Sequence, residues 1–136
     1  LGLIAKRYIG EDEQGRLADA DLRTRIIMNE IDRRAVQQTV LRAALEAKGN
    51  SGPSAATSIM KNANMKVAQD RAELTLEFMG WRGLGWEGAE FSEEELMTVK
   101  TWLYGKAGSI YGGSNEVQSN IVSKRILGLP DLTQSH

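Results

Sequence analysis

The chain has 136 residues, with 17 Lys plus Arg against 18 Asp plus Glu, and so carries a formal charge of −1 at pH 7. That length suits one domain with a real core and not two, and the balanced charge leaves no basic surplus for collecting nucleic acid or an anionic membrane. Cysteine is absent and the one histidine is His136, which excludes disulfides, thiolate metal sites and any cluster of histidines.

The opening "LGLIAKRYIG" is an apolar, helical stretch that breaks into the charged, glycine-containing "EDEQGRL". Residues 1–17 read as the remnant of a preceding helix and its link, residues 18–130 as the domain proper, and residues 131–136 as a tail. The start lacks a signal peptide's basic lead and long apolar middle, and no apolar run approaches the ~20 residues that span a bilayer, so a soluble, cytoplasmic protein without a membrane span is expected.

From Asp19 to Lys48, apolar residues recur at Leu22, Ile26, Ile27, Ile31, Ala35, Val40, Ala44 and Leu45, which predicts a first helix over 19–48 closed by Gly49. Pro53 and Ser54 supply start signals for a second, over 54–79, where Ala56, Met60, Ala63, Val67, Leu74 and Phe78 fall at helical steps before Gly80. Arg71 lies on that stripe and reads as an arginine that snorkels or pairs inside a bundle. "GWRGLGWEGAEF" has four glycines in twelve residues and reads as a loop. Ser92 and Glu95 then stand at capping-box spacing, and Leu96, Val99, Trp102 and Leu103 carry a third helix over 92–107. Val117, Ile121, Val122 and Ile126 carry a fourth over 114–127, with Lys124 and Arg125 at its negative end. Four helices joined by loops predict an all-α, antiparallel four-helix bundle.

Two stretches resemble a known family. "IYGGSNEVQSNIVSKRILGLP", residues 110–130, is similar to the C-terminal signature of acyl-CoA dehydrogenases, and "SIMKNANMKVAQDRAELTLEFMG", residues 58–80, is similar to that family's Ser-x-x-Lys segment and the long helix after it. With the helix at 19–48 these cover nearly the whole chain, and the resemblance implies the family's C-terminal helical domain within a longer polypeptide. It further implies FAD as cofactor, an acyl-CoA substrate, lipid metabolism such as fatty acid β-oxidation, assembly into a homo- or hetero-tetramer through the helical domain, and an acceptor similar to electron-transfer flavoprotein.

Carried over residue by residue, the resemblance places Ser114, Asn115 and Glu116 at the flavin and Gly113 toward substrate. It also implies contact between the FAD diphosphate and Glu77, Met79 and Gly80 of a neighbouring subunit. There the chain departs from the family's pattern, with Glu77 where a glutamine is usual and Trp81 where a second glycine is usual, and a plain helix end at Gly80 competes with cofactor contact. In many members the base that removes the substrate's α-proton directly follows the signature tyrosine; here that position is Gly112, which has no proton-accepting side chain. No catalytic residue is assigned, and residues 1–136 alone are expected to be inactive.

Three readings follow. One is an FAD-dependent acyl-CoA dehydrogenase with its base elsewhere. The second is a non-catalytic helical subunit of a hetero-oligomer, and the third a helical bundle without cofactor. In the first two the domain is expected to self-associate or to expose apolar patches.

Overall fold

A computed structural model describes residues 1–48 and 56–130. Among them are five α-helices and no sheet: α1 (Gly2–Ile9), α2 (Ala20–Lys48), α3 (Ala56–Met79), α4 (Glu93–Gly105) and α5 (Asn115–Ile121). The all-α class agrees with expectation; the count of four is corrected to five, because the opening stretch folds as a helix against the others. The stop at Gly49, the start at Pro53 and Ser54 and the tail lie outside the described residues.

Local chemistry accounts for most helix ends. Asp19 begins α2 by accepting a hydrogen bond from the Leu22 N–H at 2.9 Å. At α4 both halves of the capping box are present: Ser92 accepts from the Glu95 N–H, and the Glu95 carboxylate accepts from the Ser92 N–H. The expected continuous fourth helix is shorter. The α-form ends at Ile121 and widens into a π-turn over Val122–Ile126, where the Leu127 N–H reaches the Val122 carbonyl at 3.1 Å. Gly128, at φ 64, then turns the chain.

Helix α3 is the centre of the domain and contacts α1, α2, α4 and α5. It runs antiparallel to α2: the Asn29 amide of α2 donates to the Val67 carbonyl at 3.1 Å, and Arg25, one turn earlier, reaches Glu77 near the other end of α3. The core lies where the end of α3 meets α1 and the start of α2. Ala5, Leu17, Leu22, Ile26, Leu74, Phe78 and Met79 form it, with Ile4, Tyr8 and Leu76 packed around them. Ala5 is the most enclosed of these, at 0% exposure, so α1 supplies part of the core it was expected only to precede. Arg71 lies in the α2–α3 seam with Nη1 3.8 Å from the Glu30 carboxylate, as the sequence suggested. Away from the core end, α2 keeps only Ala43 buried.

Candidate functional site

The turn that leads into α5 is built on two glycines in the left-handed region, Gly112 at φ 67 and Gly113 at φ 92, where a side chain is disfavoured. Their surroundings differ. A Cβ added at Gly112 would meet nothing within 4 Å, whereas one at Gly113 would come within 2.8 Å of the Gln118 amide nitrogen. Ser114 follows as N-cap in extended backbone, its hydroxyl accepting from the Val117 N–H.

Three side chains from outside the turn hold its carbonyls. Lys61 Nζ donates to the Gly113 carbonyl at 2.6 Å, Asn62 Nδ2 to the Asn115 carbonyl at 3.3 Å, and Gln118 Nε2 to the Gly112 carbonyl at 3.1 Å. The first two come from the opening turns of α3, so the turn is tied to the central helix. The spacing along the chain gave no sign of this, since Lys61 and Gly113 stand 52 residues apart. Lys61 was visible in the sequence only as the lysine of Ser-x-x-Lys and Gln118 only as a glutamine of the 110–130 signature, and Asn62 not at all.

Glu116 is exposed and its carboxyl lies below the usual carboxylate range, chiefly through the Ser114 hydroxyl, then its own backbone N–H, with the Lys61 ammonium adding to both. A carboxylate stabilised in its charged form is a poor proton acceptor. Gly112 brings no side chain to the turn, and Glu116 is held toward its charged form.

The second set of candidate residues sits at the other end of α3. Glu77 is engaged by Arg25, whose two terminal nitrogens donate to the two carboxylate oxygens at 2.5 Å each. Met79 is buried in the core. Gly80, at φ 57, ends the α-helix and opens a 3-10 turn over Gly80–Leu84. Trp81 is exposed, packs on Phe91 with ring centroids 5.5 Å apart, and lies under the Arg82 guanidinium. Glu77 is sixteen residues beyond Lys61 on one continuous helix, a separation of about 24 Å at 1.5 Å per residue. Within one chain the structure thus brings Gly113, Ser114, Asn115 and Glu116 together and keeps Glu77, Met79 and Gly80 apart from them. Among the described residues no group of three His, Asp or Glu side chains could hold a metal ion, and no helix is long and apolar enough to cross a membrane.

Residues 4–127 match the acyl-CoA dehydrogenase C-terminal domain, and the chain belongs to that family. Two curated relatives are similar over part of it. Acyl-CoA dehydrogenase IpdE1 of Mycolicibacterium smegmatis is 40% identical over 62 residues, which is 46% of this chain and 15% of the relative. The protein of the same name in Mycobacterium tuberculosis is 41% identical over 58 residues, 43% of this chain and 14% of the relative. The matched stretch is thus about one-seventh of either relative's length. No solved structure matches the chain.

Proposed function

We propose that this chain is the C-terminal assembly domain of an acyl-CoA dehydrogenase subunit that completes a flavin site without contributing the base. The observation that carries the reading is Gly112: at the position where the resemblance expects a glutamate, the backbone adopts φ 67. Such a conformation costs a non-glycine residue roughly 1–2 kcal/mol, so the turn is shaped around the absence of a side chain.

At the Gly112–Glu116 turn the fit to FAD is good. Open space around Gly112 allows close approach of a flat ligand, and the turn's carbonyls are already occupied from within the domain. Ser114, Asn115 and Glu116 would lie against the flavin, with Gly113 toward the acyl thioester. When bound, the flavin supplies the acceptor for the β-hydride in α,β-dehydrogenation. The fit is poor at the far end of α3, where Glu77 is neutralised by Arg25 and Met79 is enclosed, leaving the exposed backbone of Gly80. Because the ribityl chain joining a flavin ring to its diphosphate is far shorter than ~24 Å, one FAD touching both sets would need two chains. Assembly into a homo- or hetero-tetramer supplies that second chain. Acyl-CoA as substrate and an acceptor similar to electron-transfer flavoprotein belong to the same reading.

A second reading is supported by the intact signature at 110–130: a catalytic subunit whose base lies on a helix upstream in the same polypeptide. Carboxylate replacement in the assembled dehydrogenase separates the two. The first reading expects turnover to disappear when a glutamate of a co-purifying partner is changed to glutamine, and the second when an upstream carboxylate of the same polypeptide is changed. Loss of a general base lowers the rate by about two to four orders of magnitude. Dehydrogenation of any acyl-CoA by residues 1–136 alone would overturn both.

A further inference from the structure

Lys66 and Lys106 pair with the acids Asp70 and Glu73, and Lys6 with both Glu11 and, at 2.6 Å, the exposed Gly15 carbonyl. Lys61 directs its ammonium at a peptide carbonyl 52 residues away, Gly113 O at 2.6 Å, in a half-buried position. A charged donor on a carbonyl is a stronger tie than a neutral amide would make. Beside it the Asn62 amide nitrogen holds the Asn115 carbonyl, while its Oδ1 is buried with no hydrogen-bond partner. A buried acceptor left unpaired is costly, and filling space does not require one; a side chain of similar size without polar atoms would pack there at lower cost.

With Gln118 on Gly112, the carbonyls of residues 112, 113 and 115 are all held by side chains. A pair of glycines is the most pliable backbone the chain could place here, and a reacting centre tolerates displacements of only about 0.5 Å. We propose that Lys61 and Asn62 are positioning residues: by holding the Gly113 and Asn115 carbonyls against α3 they fix the orientation of the Gly112–Glu116 turn toward flavin and substrate. This rests on the reading of that turn as flavin- and substrate-facing. Neither residue touches the reacting atoms; both act through the backbone they hold.

The test uses the assembled dehydrogenase, with this chain in its full polypeptide and its co-purifying subunits. The variants are Lys61→Met, Asn62→Ala, the conservative Lys61→Arg, and Lys66→Met as an exposed control on the same helix. Amide hydrogen exchange over residues 112–117 is expected to rise about tenfold or more in Lys61→Met, less in Asn62→Ala, and to return toward wild type in Lys61→Arg, with Lys66→Met unchanged. Exchange in Lys61→Met equal to wild type would overturn the proposal; so would an equal rise along the whole of α3, which marks a general loss of stability. The second readout is the visible flavin band and kcat. Lys61→Met is expected to shift the band and lower kcat by about 10- to 100-fold with KM little changed, and Lys61→Arg to restore both. If Gly113→Ala and Asn115→Ala leave a flavin-containing assembly spectrally unmoved, the flavin-facing reading fails, and the exchange experiment alone then decides whether Lys61 holds the turn.

Discussion

At the scale of single residues, the two adjacent glycines have different reasons to be glycine. Gly112 has a left-handed backbone but free space, whereas Gly113 has both a left-handed backbone and the Gln118 amide where a Cβ would stand. Gly112→Ala should therefore lower stability by about 1 kcal/mol, from backbone strain alone. Gly113→Ala should cost more and also release the bond from Gln118 to the Gly112 carbonyl. Urea unfolding of the two variants checks the order, and equal losses would show that the Gln118 contact is immaterial. Glu77 shows the limit of reading one residue at a time. As a sequence position it is a carboxylate facing an expected diphosphate; in the fold it is one half of a bidentate pair with Arg25, 52 residues earlier.

Among the elements, α4 ties itself to the domain through its own cap. Glu95 is buried and receives the Ser92 N–H at 2.8 Å, Arg82 Nη1 at 3.0 Å and the Tyr8 hydroxyl at 3.2 Å, so one carboxylate joins α4, the 3-10 turn and α1. The Ser92 N–H, the Ser92 hydroxyl, Tyr8 and Arg82 hold its carboxyl below the usual carboxylate range, against the opposing effect of burial. A carboxyl depressed in the folded state contributes stability above its unfolded pKa, near 4.3 for Glu, and loses it as pH falls through the lower folded value. Glu95→Gln should therefore lower the melting temperature at pH 7 and weaken the acid dependence below about pH 4. An unchanged acid limb in thermal melts from pH 7 to 2 would assign that dependence to other carboxylates. Glu30 is one such group, held at about 2 by Arg33 and Arg34.

For the whole molecule, the instructive helix is α2, whose apolar residues form two stripes. At 100° per residue, Leu22, Ile26, Asn29 and Ala43 lie within about 100° of one another and are buried, while Ile27, Ile31, Leu41 and Leu45 lie within about 80° on the opposite side. These last four are each about half exposed. Arg34 and Gln38 fall on that same side and divide it into two exposed apolar patches, Ile27 with Ile31 and Leu41 with Leu45, and exposed apolar patches suit association. Paired substitution of Ile31 and Leu41 by glutamate should leave helix content nearly unchanged and shift the chain toward smaller species in sedimentation. An unaltered distribution would mean that self-association, if present, uses another face.

Periodicity and caps were legible in the sequence because they are local: Asp19 begins α2, Ser92 and Glu95 cap α4, and Gly80 ends α3, each through contacts within a few residues. So was the signature, since the glycines that the left-handed turn requires are written in the chain as glycines. The opening stretch was legible as helical but not as part of the domain, because an eight-residue amphipathic segment is marginal alone and only the fold places Ala5 of α1 against α3. Nor could one list of apolar positions on α2 be divided into an inner and an outer stripe, since both have the same period and only the position of α3 tells them apart. Lys61, Asn62 and Gln118 became part of the site for the same reason. A hydrogen bond from a side chain to a carbonyl leaves no trace in the identity of the residue that owns the carbonyl, so which lysine holds Gly113 is decided by the packing of α3 against α5 and by nothing nearer in the chain.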